Sequence, residues 1–176
     1  FRLITEINKL IQHRETEKNF LNENNITTTQ YVTVRNEKDL HENVYLLPGL
    51  LKTTTLGYDG KGQYKLNSVE DINNEIDFTK EYILEKLINL KKEISVVITR
   101  YNQNNYEIYE PIENVHEEQI LKYSIIPSNI SEDIQTKSIE WAKQVVEKLD
   151  YIGTLCVEFF IDEDDNLYAN EIAPRV

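Results

Sequence analysis

A chain of 176 residues that is 40% hydrophobic and 28% charged can bury a core as one ordinary domain or two small ones. Its 31 acidic against 19 basic residues leave a net charge of −12, a field that excludes general binding to nucleic acid or anionic membrane but not a local basic cleft. The single cysteine, Cys156 in the apolar run TLCVEFF, rules out an internal disulfide or a thiolate cluster, and no run reaches the about 18 apolar residues of a membrane span or resembles a secretory signal, so a cytoplasmic protein is expected.

The elements follow in chain order. Leu3, Ile7, Leu10 and Ile11 share one helical face, and Phe20 and Leu21 mark a second short helix ending near residue 23. The chain lacks Met and opens at Phe1 inside this helical pattern, so we expect an internal piece of a longer protein. NENNITTTQ (22–30) reads as a connector, YVTV as a strand, and Asn36 as the cap of a brief helix through Leu40. VYLLPGLLKTTT and QYKLN are strand-like around the glycine-rich LGYDGKGQ, which predicts a hairpin. Residues 68–76 predict a short helix. EYILEKLIN, ISVVITRYN, YEIYEPIENV and LKYSIIP are β-rich runs. Residues 131–150 form the clearest helix, with Ser131 as N-cap and a buried stripe of Ile134, Ser138, Trp141, Ala142, Val145 and Leu149. TLCVEFFID and LYANEIA close the chain as strands. The order predicts an α+β fold: a lead-in helix, a small αβ unit, then a larger, mostly antiparallel sheet with one long helix.

Three stretches can carry chemistry. In EFFIDEDDNLYANEIAPR, a two-residue turn at Asp164-Asp165 sets Ile161 opposite Tyr168 and Glu158 opposite Glu171. Directly opposed residues have Cβ atoms about 4.5–5.5 Å apart, where like charges destabilise pairing. A divalent cation resolves that conflict, and Mg²⁺ takes one or two carboxylates with water and phosphate oxygens. Asn170 can add an oxygen if a bulge turns it to the same face. Two solvent-facing glutamates on an edge hairpin remain the alternative, and the turn DEDDN reads as solvated. In LLKTTTLGYDGKGQ, Gly57, Gly60 and Gly62 free the backbone to approach an anion, with Lys52 and Lys61 as point charges; a plain glycine-rich turn is the alternative. In YILEKLINLKKEIS, Glu85 ends a strand and Glu93 precedes the next, positions from which an acid can accept from ribose hydroxyls, or simply face water. His116 is a ligand or acid–base candidate, or a structural histidine. His13, His41, Arg14 and Lys18 read as surface residues unless an anion docks at the second helix.

KTTTLGYDGKGQ together with EFFIDEDDNLYANEIAPR resembles the N5-carboxyaminoimidazole ribonucleotide synthetases, ATP-grasp enzymes of purine synthesis. The similarity runs along essentially the whole chain, through RETEKNFLNENNITT, ILEKLINLKKEISV and YEIYEPIENVHEEQIL. GYDGKGQ paired with NEIAPR is specific to this enzyme within the superfamily. The resemblance implies an ATP-grasp fold with a helical lead-in (1–25), a lid subdomain (26–88) and a larger subdomain (89–176). It implies that Arg14 and Lys52 contact the phosphates of ATP while Gly57, Tyr58, Asp59, Gly60, Lys61, Gly62 and Gln63 fold over them. Glu85, Lys86, Leu87 and Ile88 then form the adenine hinge, Glu93 holds the ribose and His116 lies in the nucleotide pocket. Glu158 and Glu171 bind Mg²⁺ with Asn170 assisting, Arg175 serves bicarbonate and carboxyphosphate, and Tyr58 lies near the aminoimidazole ribonucleotide. The implied substrates are ATP, bicarbonate and 5-aminoimidazole ribonucleotide, and the implied assembly is a homodimer. The chain departs from the family in lacking its N-terminal domain and the His-Asn-Ser-Gly-His stretch that usually follows NEIAPR. Another ATP-grasp ligase would keep the metal pair and change the acceptor; a non-catalytic acidic interaction module would bind no Mg·ATP.

Overall fold

The computed structural model describes residues 2–55, 62–73, 75–117 and 120–175. The two helices expected before residue 24 are α1 (Arg2–Ile11) and α2 (Arg14–Glu23). Ile7 is buried against the larger core, with Leu10, Ile11 and Phe20 packed around it. Helix α2 turns Glu17, Lys18 and Leu21 inward, so two of its three buried residues are charged. Lys18 is 2% exposed, which corrects its reading as a surface residue.

The first sheet contains β1 (Tyr31–Val34), β2 (Gly49–Thr53), β3 (Gln63–Leu66) and β4 (Tyr82–Lys86), antiparallel in the order β1-β4-β2-β3. Helix α3 (Glu37–Glu42) starts at the expected cap, where the Asn36 side chain accepts from the Asp39 N–H at 3.0 Å. The strand predicted from Val44 begins instead as a single 3₁₀ turn, Val44–Leu46, that buries Leu46. Pro48 separates this turn from β2, since it has no N–H to give a ladder. The helix predicted over 68–76 shrinks to the 3₁₀ turn Val69–Asp71. The Asp71 carboxylate accepts from the N–H groups of Asn67 and Ser68 and closes the turn on itself. Leu40, Leu51, Leu66, Tyr82 and Leu84 anchor this unit's core.

The second sheet contains β5 (Leu90–Arg100), β6 (Tyr106–Ile108), β7 (Ile112–Glu117), β8 (Ile120–Ile125), β9 (Gly153–Asp162) and β10 (Leu167–Arg175). Its order is β10-β9-β5-β7-β8, with β6 pairing β5 and every pair antiparallel. YEIYEPIENV divides into β6 and β7, because Pro111 interrupts the ladder. Strand β5 begins four residues before the predicted start, so Glu93 lies within it, facing Phe160 and Asn114 across the ladder. Helix α4 (Glu132–Lys148) is capped by the Ser131 hydroxyl, which accepts from the Ile134 N–H at 3.3 Å. Its predicted stripe, Ile134, Ser138, Trp141, Ala142, Val145 and Leu149, is buried throughout. That stripe covers Ile94, Val96 and Ile98 of β5 and Leu155, Val157, Phe159 and Ile161 of β9. Full burial of such an aliphatic or Phe side chain stabilises by about 1.5–3 kcal/mol. Strand alternation sends the intervening residues, among them Glu93, Ser95, Glu158 and Phe160, to the opposite face. That face carries the site. The α+β class is as predicted, and Cys156 is a buried free thiol.

Candidate active site

Strands β9 and β10 meet through a loop that differs from the predicted two-residue turn. The Asp165 N–H donates to the Asp162 carbonyl at 3.0 Å, Asp162 N–H donates to the Asn166 carbonyl at 3.1 Å, and Asp165 has φ +60°. This is a three-residue hairpin loop with its last residue in the left-handed region. The Asp162 carboxylate holds it, accepting from the N–H groups of Asp164 at 3.0 Å and Asn166 at 2.8 Å. Ile161 therefore faces Leu167 rather than Tyr168. The register then shifts by one at a β-bulge between Ala169 and Glu171, and Glu158 stands opposite Glu171 as expected. The bulge also settles the position of Asn170. Ala169 and Ile172 are both buried in the core, and the two residues between them line the cleft together with Glu158 and Phe160.

The two carboxylates crowd each other. Burial first, and then the nearby Glu171, raise the Glu158 pKa above the ordinary carboxylate value. Arg175 Nη2, 3.8 Å from Glu158 Oε1, opposes that rise. The donor set fits a divalent cation: two opposed carboxylates and an amide, on a face where their mutual charge is unfavourable without one.

The opposite wall is cationic. Lys52 of β2 lies 3.2 Å from Glu85 Oε1, and Lys18 of α2 lies 3.4 Å from Glu85 Oε2. Thr29 Oγ1 donates to Glu85 Oε2 at 3.0 Å. Burial works against the Glu85 charge, but Lys52 and Lys18 more than offset it and hold the pKa at about 2. For Lys18 burial prevails over the attraction of Glu85, and its pKa is lowered. The two shifts point in opposite senses for the ion pair, because one carboxylate serves two ammonium groups. The gain at Glu85 therefore overstates what the cluster contributes. Arg14 Nη1 donates to the Thr53 carbonyl at 3.0 Å, which places the guanidinium beside Lys52. On the far side, His116 Nδ1 stands 2.9 Å from Glu93 Oε2, out of line for a hydrogen bond but within ion-pair reach.

These groups share one cleft of about 1080 Å³ between the sheets. Of the predicted site residues, Arg14, Lys52, Gln63, Glu85, Glu93, His116, Glu158, Asn170 and Glu171 line it. Gly62, with φ +71°, sits beside it at the start of β3. Lys86 ends β4, and with Leu87 and Ile88 after it lies outside the lining; the N–H groups of Lys86 and Leu87 donate to the carbonyls of Gln30 and Pro48. Arg175 is also outside the lining and reaches the cleft through Glu158. Gly57, Tyr58, Asp59, Gly60 and Lys61 lie outside the described residues.

Sequence reasoning missed Glu17 and Lys18, which also line the cleft. Glu17, only 3% exposed, is a further perturbed acid: desolvation raises its pKa to about 8, the bond from Ile172 N–H opposes the rise, and Glu171 adds to it. RETEKNFLNE carries no local signal for them: with Phe20 and Leu21 as its only large apolar residues it has the pattern of a surface helix.

Two antiparallel sheets enclosing one cleft, with lysines on one wall and a carboxylate pair on the other, define a nucleotide-gripping domain. The chain belongs to the ATP-grasp domain family, which it matches over residues 19–176. Within that family it is similar to the N5-carboxyaminoimidazole ribonucleotide synthase of Staphylococcus aureus (strain MRSA252), 38% identical over 171 residues, 95% of this chain and 45% of the relative. A solved N5-carboxyaminoimidazole ribonucleotide synthetase in complex with ADP superposes with a TM-score of 0.88 at 38% identity, covering 96% of this chain and 46% of that one. The Aspergillus clavatus enzyme, solved with ADP and 5-aminoimidazole ribonucleotide, superposes with a TM-score of 0.82 at 27% identity over 94% of this chain and 44% of its own. The chain thus spans about half the length of the relatives it matches.

Proposed function

We propose that the full-length protein is an N5-carboxyaminoimidazole ribonucleotide synthetase. It would use ATP and bicarbonate to carboxylate 5-aminoimidazole ribonucleotide on its exocyclic amine, in purine biosynthesis. The observation that carries this reading is the polarised cleft, with Lys52 and Arg14 on the wall opposite Glu158, Asn170 and Glu171. Relatives bearing this enzyme's name match 95% of the chain, in support of the same acceptor.

In this reading the γ-phosphoryl group passes to a bicarbonate oxygen, ADP leaves, and the amine takes up the carboxyl carbon as phosphate departs. Phosphoryl transfer asks little covalent work of the protein, so its task is positioning and charge neutralisation. Lys52 and Arg14 meet the phosphates, Glu93 the ribose, and residues 85–88 the base, with His116 beside the nucleotide. Glu158 and Glu171 would hold Mg²⁺ with Asn170, and the ion would neutralise charge on the phosphoryl oxygens. Arg175 offers a planar fork to the bicarbonate-derived anion. The family resemblance would give residues 57–63, of which 57–61 lie outside the described residues, the part of a lid that keeps water from a readily hydrolysed intermediate, and Tyr58 a part in ribonucleotide binding.

The division into a lead-in (1–25), a lid subdomain (26–88) and a larger subdomain (89–176) is part of this proposal, and the separate sheets support it. So are a cytoplasmic location and a homodimer. No helix among the described residues is long and apolar enough to cross a membrane. The deciding experiment is ADP formation by the full-length protein. Turnover that needs both bicarbonate and 5-aminoimidazole ribonucleotide supports the assignment; ADP formation that ignores either one refutes it. Light scattering of the same preparation tests the dimer.

A further inference from the structure

Strand β10 is the outer strand of its sheet and pairs with β9 on one side only. A regular strand of this kind sends every second N–H to its free edge. Here two such groups have partners. Ala169 N–H donates to the Thr27 carbonyl at 2.8 Å, and Ile172 N–H donates to Glu17 Oε1 at 2.6 Å. They are three residues apart rather than two, and the bulge that carries Asn170 and Glu171 lies between them. The bulge is thus clamped on both flanks from outside the sheet, by the connector after α2 and by α2 itself. The second clamp is costly. A carboxyl group 3% exposed gives up its hydration for a backbone bond, where an apolar residue would serve packing alone.

We propose that Glu17 is a positioning residue: by holding the Ile172 N–H it fixes the bulge that turns both Asn170 and Glu171 into the cleft opposite Glu158, and so sets the geometry in which the acidic pair takes a divalent cation. This rests on the function proposed above, since only a cation site needs that geometry. Glu17 acts through the backbone of β10, by way of its bond from the Ile172 N–H.

The test is Mn²⁺ binding to the full-length protein in the presence of ADP, followed by electron paramagnetic resonance, with melting temperatures measured in parallel. Glu17→Gln keeps an acceptor oxygen at the same reach and should hold Mn²⁺ within threefold of the parent. Glu17→Leu removes the acceptor and should weaken Mn²⁺ at least tenfold. Glu17→Asp keeps the carboxyl group but is one methylene short, and should weaken binding more than fivefold; it also decides the matter if Glu17→Leu does not fold. Folded Leu or Asp variants that melt earlier yet bind Mn²⁺ like the parent would reduce Glu17 to a structural residue and overturn the proposal. A Glu17→Gln loss as large as that of Leu would overturn it too, by making charge rather than reach decisive. A parent protein that binds no Mn²⁺ with ADP would instead refute the metal reading on which the proposal stands.

Discussion

Replacing Glu85 by Gln removes the carboxylate that pairs with both Lys18 and Lys52. Glu85 is 4% exposed, and the lysine side chains are 2% and 12% exposed, so neither ammonium can turn fully to water. Removing one partner of a buried pair costs about 3–5 kcal/mol, because a charge is left stranded. The drop of the Glu85 pKa from 4.5 to about 2 corresponds to about 3 kcal/mol of preference for its charged form. The burial cost already borne by Lys18 keeps the cluster's net contribution below that figure. The two estimates agree on about 3 kcal/mol for Glu85→Gln, a fall in melting temperature of roughly 10 °C for a unit of this size. Lys18→Met should cost less, since it leaves one lysine for one carboxylate. Added to Glu85→Gln, it should restore about 2 kcal/mol by removing the more deeply buried stranded cation. The sign with pH follows from linkage. A depressed carboxyl stabilises above pH 4.5, and that contribution is lost as pH falls toward about 2. The gap between parent and Glu85→Gln should therefore narrow on acidification. Thermal melts of the four proteins across pH check this, and additive effects or a melt within about 2 °C of the parent would refute the argument.

Three further outcomes are expected. Glu171→Gln should cut ATP turnover more than tenfold with little change in melting temperature, and near-normal Mg²⁺-dependent phosphate release would remove the metal assignment. Gly49→Ala should destabilise by about 1–3 kcal/mol in thermal melts. A Cβ there would meet Leu84 Cδ1 at 2.8 Å and the Glu85 carbonyl at 3.0 Å, and the backbone atom cannot yield. Arg100→Met should cost about 2 kcal/mol, measured the same way. It would leave the carbonyls of Val146 and Asn102 and the Asp150 carboxylate without the guanidinium they now share.

Elements whose burial pattern is local were legible in the sequence. The stripe of α4, the strands YVTV and QYKL, and the Asn36 cap follow from periodicity and side-chain chemistry within a few residues. The hairpin shows where that reasoning stops. The pairing of Glu158 with Glu171 was reached through a two-residue turn, whereas the chain uses a three-residue loop and then a bulge. The two deviations cancel at Glu158 but not at Ile161. The clue lay in LYANEI, where buried Leu167 and Ala169 are two apart and Ile172 follows three later; a strand keeping one core face can make that step only by gaining a residue. Lys18 and Glu17 were illegible for another reason. Their burial depends on Glu85 and Ile172, far along the chain, and a ten-residue helix with few apolar residues looks like a surface helix until its partners are known.

The charge of the whole chain and the charge of the cleft's lysine wall pull in different directions. A net charge of −12 repels a polyphosphate at a distance. Exposed charges separated by more than about 8 Å are largely screened at physiological salt, whereas buried ones are not. The surface excess of acid therefore acts weakly within the cleft, where Lys18, Lys52 and Arg14 face the incoming ligand. Glu85 does not cancel that wall, because one carboxylate is shared by two lysines and a positive charge remains. Holding both lysines at one carboxylate fixes their position before any anion arrives, so less side-chain freedom remains to be lost on binding. In the proposed function the acid at the centre of the cationic wall would serve anion binding: it makes burial of two ammonium groups tolerable and leaves the charge of one unmatched.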